Sequence, residues 1–354
     1  MQTNLADFIK DSPEGQEADA ILRTCVHCGF CLATCPTYQL LGDELDSPRG
    51  RIYLMKQMLE GEPVTQKTQL HLDRCLTCRA CETACPSGVR YGRLVDIGRG
   101  IVEKKVGRGA VAGAMRYALR QTLPNAKVFE SLLKLGRGVR PLLPGSLKDS
   151  IPPKAKEMSL AGAWPPARHA RKMLVLEGCV QPTLAPNINA ATARVLDKLG
   201  VSLIKAENAG CCGAVSYHLN AQQEGLDYMR RNVDAWWPYV GNEMEINARQ
   251  ERGGVEAIVM TASGCGVTVK EYGHLLRHDP AYAEKAARIS ELCKDISEIL
   301  EAETQVLASS INSLPVNPKK SKLAFHSPCT LQHGMQIRGV VERILIAAGF
   351  ELTV

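Results

Sequence analysis

Aromatic residues are scarce in this chain: five Phe, nine Tyr and three Trp, or 5% of 354 residues. Lys and Arg form no run of the kind that signals nucleic acid, and the formal charge of +6 is mild and diffuse. These two shortages exclude the stacking platforms and basic stripes of a nucleic-acid binder. They leave an ordinary solvated surface, an acidic partner or an anionic membrane face. No stretch approaches the eighteen or so uninterrupted apolar residues of a membrane span. The N-terminal MQTNLADFIKDSPEGQEADA lacks the basic and apolar regions of a secretory signal. The expected location is cytoplasmic, with any membrane contact peripheral or through a partner. A Gly-rich dinucleotide fingerprint after a strand is missing too, so a flavin or nicotinamide is expected on another chain.

Cysteine is abundant, with fourteen residues. In a cytosolic chain with an ordinary 45% hydrophobic content, that number points to metal or redox chemistry over disulfides. Eight of them form two copies of one motif, CVHCGFCLATCP at 25–36 and CLTCRACETACP at 75–86. Zinc sites use two well-separated CxxC pairs. Three cysteines at two-residue spacing with a fourth before proline form the bacterial ferredoxin run, in which the fourth ligates the other cluster. The motif therefore predicts two [4Fe–4S] clusters with crossed ligation. Cluster 1 takes Cys25, Cys28, Cys31 and Cys85, and cluster 2 takes Cys75, Cys78, Cys81 and Cys35. Gly29 relieves crowding in the first loop, and Pro36 and Pro86 turn the chain away. Such a pair passes electrons one at a time, and the alternative is a zinc-stabilised interaction scaffold.

Around the motifs the chain reads as helical. A helix is expected at EADAILR, another from Ser47 as cap and Pro48 as first residue, and a short one over 71–80. Further helices are expected at VAGAMRYALRQ and VFESLLKLG, before a Pro- and Lys-rich linker. From residue 172 strands alternate with helices: KMLVLEG, NINAATARVLDKLG, VSLIKA, VEAIVMTAS and TVKEYGHLLR. That alternation predicts an α/β unit with a parallel sheet. The fold class is thus α+β multi-domain, a helical two-cluster ferredoxin-like domain followed by α/β modules. The expected division is 1–104 for the two-cluster domain, 105–170 for helices and linker, 171–315 for a first cysteine-rich module and 316–354 for the start of a second. The second module is a repeat. EGCVQPTLAPNINAATARVLDKLGVSLI, with Cys179, aligns with HSPCTLQHGMQIRGVVERILIAAGFELT, with Cys329. Its counterpart of Cys211 would fall at about position 361, beyond Val354, so a truncated second module is expected.

A second cysteine group comprises Cys179, the pair Cys211-Cys212 before Gly213, and Cys265 in TASGCGVTVKEYG. Adjacent cysteines do not readily bridge each other, but they can present two sulfurs to one metal, with Gly213 allowing close approach. Strand-end loops are where ligand sites of α/β sheets gather. Small buried packing residues are the alternative, but four cysteines at strand-end loops is more than packing would ask. Cys293 reads as a buried helical residue. His218, His326 and His333 read as structural, and Trp236-Trp237-Pro238 as packing more than as a docking patch.

These residues resemble the CCG cysteine-rich module of heterodisulfide reductase-type proteins and of flavin dehydrogenase iron–sulfur subunits. From CVHCGFCLATCPTYQLLGDELDSPRGRIYLMKQ through GCCGAVSYHLNAQ to HSPCTLQH, the chain is similar to iron–sulfur subunits of bacterial glycolate oxidases. The resemblance implies an electron-transfer subunit. An FAD-containing partner would oxidise glycolate to glyoxylate, and this chain would pass the electrons towards quinone at the membrane. It also implies that Cys179, Cys211, Cys212 and Cys265 occupy the family's cysteine positions, with a further metal or iron–sulfur centre there left open. One departure stands out: Cys265 has Ala262 and Thr268 at the three-residue offsets where the full pattern has a second Cys. Other 2-hydroxy acids, glycerol 3-phosphate, or thiol–disulfide chemistry at the CCG site are the alternatives.

Overall fold

The structure, a computed structural model, describes residues 1–153, 162–240, 254–312 and 322–353. Two compact units emerge, Met1–Met115 with Pro328–Gln336, and Arg116–Ser327 with Ile337–Val354. Residues 154–161, part of the expected linker, lie outside the described residues.

The first unit is helical. Helix α1 (Pro13–Thr24) starts under Ser12, whose side chain accepts from the Gly15 amide, with Pro13 fixing the first turn. Helix α2 (Pro36–Leu41) leaves the first cysteine loop through Pro36. Helix α3 (Pro48–Leu59) begins as the sequence reads: Ser47 caps the Gly50 amide and Pro48 is first. Helix α4 departs from expectation. It spans Gln66–Asp73, under a reciprocal capping box between Thr65 and Thr68, and stops just before Cys75. The polar Gln66-Lys67 pair hides that start from any reading of apolar periodicity. Helices α5 (Ala80–Thr83) and α6 (Tyr91–Val106) follow the second loop. Leu22, Ile52, Met55, Leu59, Leu72, Leu94 and Val102 form the core, and Cys25 and Cys81 sit on its margin.

The second unit carries α7 (Ala110–Thr122) only from Arg116 onwards, then α8 (Ala126–Val139) and α9 (Gly145–Ser150). Its sheet is four-stranded, in the order β2-β1-β3-β4, with β1 Arg171–Val175, β2 Val201–Lys205, β3 Ile258–Met260 and β4 Cys293–Asp295. All the pairings are parallel. Each crossover is helical: α10 (Gln181–Leu184) and α11 (Pro186–Lys198), then α12 (Ala214–His218) and α13 (Gln222–Val240), then α14 (Ser263–Lys270), α15 (Tyr272–Leu275) and α16 (Ala283–Leu292). Both faces of β1 are buried, as parallel strands require. Leu174 faces a core with Trp236, Ile258 and Tyr272, while Met173 and Val175 face Leu196, Val201 and Ile299. Trp236 is fully buried, which contributes roughly 4–6 kcal/mol of transfer free energy before entropy is counted. Trp237 packs at the edge of the same core, so the pair is packing.

Cys293 is buried as expected, but in strand β4 and not in a helix. A three-residue strand is too short to register against the helical pattern around it. Beyond α17 (Ile296–Ala302) and α18 (Thr304–Asn312) come β5 (Lys322–Ala324), α19 (Val340–Ala347) and β6 (Glu351–Thr353). The repeat is visible in the strand registers. Arg171 pairs with Val201, and Lys322 pairs with Glu351, each a parallel pair closed by a crossover of nearly equal length.

Candidate metal centres

None of the fourteen cysteines is in a disulfide. In the first unit the two motif loops have the same backbone shape. His27 and Gly29 in one, and Thr77 and Arg79 in the other, are left-handed, at φ of 62°, 85°, 52° and 58°. The same two positions of each CxxCxxC are thus reversed. For His27, Thr77 and Arg79 this costs about 1–2 kcal/mol each. What it achieves is a nest, with successive amides turned inward, the concavity used by anionic and iron–sulfur groups. One such amide, of Thr77, already points at Cys75 Sγ at 3.4 Å. At Gly29 the crowding is explicit: a Cβ would stand 2.8 Å from Arg49 Nη1.

Two cavities lie beside these loops. The first, with about 430 Å³ of empty space including its mouth, is lined by Cys25, Cys28, Cys31 and Cys85, with Cys81 also at its wall. The second, about 310 Å³, is lined by Cys35, Cys75, Cys78 and Cys81. Cys35 therefore stands with residues forty or more positions downstream, and Cys85 with the first loop. Pro48, Cys81 and Tyr91 line both cavities, so one thin wall separates them.

Among the described residues, the set of three or more His, Cys, Asp or Glu ligand atoms within 4.8 Å of one another is Asp43, Asp46 and His71. No three cysteine sulfurs crowd that closely, whereas a tetrahedral zinc thiolate site needs them about 3.8 Å apart. Four thiols gathered at each cavity are the donor set of an iron–sulfur group. The acidic set is already engaged: Asp46 accepts from His71 Nδ1 at 3.0 Å and Arg74 Nη1 at 2.8 Å, and pairs with Arg51 at 3.3 Å. Burial pushes the Cys25 and Cys78 thiols up, and Cys31 up to about 11. Ligation must therefore displace protons from these groups.

The second unit gathers the other four cysteines. Cys179 follows β1, Cys211 and Cys212 follow β2, and Cys265 lies in the first turn of α14 after β3. All four stand at the carboxyl ends of parallel strands, on the side where the strand order reverses about β1. Their sulfurs form a row, Cys179 beside Cys211, Cys211 beside Cys212, and Cys212 beside Cys265. The Cys179 side chain lowers the Cys211 pKa, but Cys212 and burial outweigh it and push that thiol up to about 11. Gly213 is left-handed at φ 91°.

Sequence reasoning missed the residues that hold this row. Arg231 Nη2 and Asn232 Nδ2 donate to the Cys211 carbonyl at 3.0 and 2.9 Å, and the Tyr272 hydroxyl donates to the Cys212 carbonyl at 2.8 Å. Asn232 and Tyr272 are fully buried. A polar Asn on an otherwise amphipathic helix was the available signal. Cys329 is not brought to the row. It is exposed, belongs to the first unit, and lies near Cys78, while His333 Nδ1 meets Thr83 Oγ1 at 3.0 Å.

Comparison with known proteins bears on both units. The family described as 4Fe-4S dicluster domain matches residues 21–89, and the family described as Cysteine-rich domain matches residues 173–270. The glycolate oxidase iron-sulfur subunit of Escherichia coli (strain K12) is 55% identical over 353 residues, covering 100% of this chain and 82% of that protein. The probable glycolate oxidase iron-sulfur subunit of Bacillus subtilis (strain 168) is 32% identical over 304 residues, 79% of this chain and 65% of that one. Lactate utilization protein A of Bacillus licheniformis is 24% identical over 164 residues, 46% of this chain and 58% of that one. No solved structure matches. Among the described residues no helix is long and apolar enough to cross a membrane. Identity that runs the length of the chain, over a dicluster domain with its eight cysteines grouped around two cavities, places this chain in the family of glycolate oxidase iron–sulfur subunits.

Proposed function

We propose that the chain is the electron-transfer subunit of a glycolate-oxidising flavoenzyme. Cys25, Cys28, Cys31 and Cys85 hold one [4Fe–4S] cluster, and Cys75, Cys78, Cys81 and Cys35 hold the other. The observation that carries this reading is the pair of adjoining cavities, one lined by Cys25, Cys28, Cys31 and Cys85 with Cys81 shared, the other by Cys35, Cys75, Cys78 and Cys81. When bound, such clusters accept and release single electrons. The chain's own residues supply the ligands, the inward amides and the thin wall of Pro48, Cys81 and Tyr91 between the two sites. FAD and the oxidation of glycolate to glyoxylate belong to a partner subunit. The electrons leave towards a quinone, with the complex held peripherally at the inner face of the cytoplasmic membrane. Cys179, Cys211, Cys212 and Cys265 form a further metal or iron–sulfur site, and their row of sulfurs supports that assignment. Domain division at about residues 104, 170 and 315 belongs to the same reading.

Anaerobic purification with metal analysis and EPR tests it. About eight irons in two cubane clusters, with any third centre adding to that, are expected; zinc in their place overturns the reading. Glycolate should reduce the clusters only when the flavin partner is present. The likeness to a lactate utilization protein favours one second reading, and the same assay with lactate decides between them.

A further inference from the structure

The second cavity is walled by more than thiols. Arg51 lines it and is 1% exposed, so almost no water screens its charge. Its Nε donates to the His71 carbonyl at 2.7 Å, and its Nη1 donates to Thr37 Oγ1 at 3.1 Å. Thr37 Oγ1 in turn lies 3.2 Å from Cys35 Sγ. The same hydroxyl donates to the Asp46 carbonyl at 2.9 Å, so the guanidinium reaches the ligand sulfur one side chain away through its charge. Asp46 does not cancel that charge, because the same carboxylate is shared with Arg74. Two guanidiniums against one carboxylate leave one net positive charge.

Tyr91 adds a donor. It is buried in the wall between the cavities, and its hydroxyl meets no nitrogen or oxygen partner among the described residues, facing the Cys75 thiol instead. A buried hydroxyl whose nearest acceptor is a neutral thiol is weakly satisfied. The side chain sits against the Cys75 and Cys81 thiols, and a sulfur carrying negative charge would give it a stronger acceptor. At the first cavity the N-terminal ammonium donates to the Cys25 carbonyl at 2.8 Å, to backbone and not to a sulfur. Arg49 at its wall is one-third exposed and paired one to one with Glu44 at 2.8 Å.

We propose that Arg51, acting through its charge, and Tyr91 are positioning residues that raise the reduction potential of the cluster held by Cys35, Cys75, Cys78 and Cys81. Reduction adds one electron and hence one negative charge. A fixed positive charge and a hydrogen bond to sulfur favour the reduced form over the oxidised one. The cluster beside it is left where its own surroundings set it. The inference rests on the two-cluster reading above.

EPR-monitored redox titration of the full chain, with dithionite as reductant and an iron count on each sample, tests it. Tyr91→Phe removes only the hydroxyl and keeps the packing. It should shift the reduction equilibrium of one cluster three- to tenfold towards the oxidised form, tenfold being about 59 mV for a one-electron couple. The other couple should stay fixed. Arg51→Gln should move the same couple further in the same direction, and Arg51→Lys should restore most of that change. Adding Cys78→Ala should abolish the couple that moved. With about eight irons present, shifts of both couples together, of neither, or in the opposite sense overturn the proposal. Fewer irons in the unaltered chain, with one couple missing, overturn the two-cluster reading and the proposal with it.

Discussion

Crossed ligation is testable by counting irons in single and paired variants. Cys35 lies in the first motif but lines the second cavity with Cys75, Cys78 and Cys81. Cys28 lies in the first motif and lines the first cavity. Each cavity holds one set of four, so the loss of one ligand should cost one cluster of four irons. Cys35→Ala and Cys78→Ala should each lower the content from about eight irons to about four. Combined, they should still retain about four, because both remove ligands of one cluster; residues acting as a unit are not additive. Cys35→Ala with Cys28→Ala should lose nearly all the iron, although both residues come from one motif. Motif-local ligation demands the reverse: the Cys35/Cys28 pair would keep about four irons, and the Cys35/Cys78 pair would keep almost none. Iron and acid-labile sulfide analysis on anaerobically purified protein reads the outcome. Retention of four irons by the Cys35/Cys28 variant refutes the reasoning from the cavities.

Asp46→Ala leaves Arg51 buried with a carboxylate partner removed, and an uncompensated buried charge costs about 3–5 kcal/mol. Urea unfolding followed by circular dichroism checks this, and a loss under about 1 kcal/mol contradicts it. Gly213→Ala puts a Cβ 2.5 Å from the Gly225 carbonyl oxygen at a φ of +91°, for an expected loss of about 2–4 kcal/mol. Thiol labelling of Cys211 and Cys212 should quicken in that variant; unchanged labelling and melting temperature argue against the close approach. Asp197 accepts from Arg168 and His169, and the Arg168 hydrogen bond, the largest influence, holds its carboxyl below the usual range. A depressed folded pKa contributes stability above the unfolded value near 3.8 and loses it as pH falls through the folded value. Asp197→Asn should therefore lower stability at pH 7 and show a weaker acid dependence below about pH 4. Equal slopes for both proteins in urea melts across that range refute it.

What was legible in the sequence is what local chemistry or a long repeat writes into it. Ser47 and Pro48 announce α3 because a cap and a first-turn proline act within four residues. The 150-residue repeat reappears as matching parallel strand pairs, β1 with β2 and β5 with β6, because like sequences favour like local pairing. Residues that act across the fold carry no such mark. Arg51 reaches the His71 carbonyl, Tyr272 reaches the Cys212 carbonyl sixty residues back, and Tyr91 stands between cysteines of two motifs. In a linear reading these are a helical Arg and two Tyr residues. The four CCG cysteines fall between the two cases: Cys211-Cys212-Gly213 is conspicuous, but the row that includes Cys179 and Cys265 exists only once the strands are ordered.

The two sites also differ in how their shape is maintained. In the first unit the ligand loops carry left-handed His27, Thr77 and Arg79, and burial holds Cys25, Cys31 and Cys78 as thiols. The left-handed residues cost the loop conformation energy unless something accepts the inward amides, and anything that binds the sulfurs must displace the thiol protons. A bound cluster does both, so cluster binding and loop order are coupled. In the second unit the cysteine carbonyls are already fixed by Arg231, Asn232 and Tyr272, on a sheet buried on both faces. That frame is complete in protein atoms. Removing iron should therefore loosen residues 25–35 and 75–85 well before it disturbs the strand-end row, and hydrogen exchange on the chelated chain should show protection lost in that order.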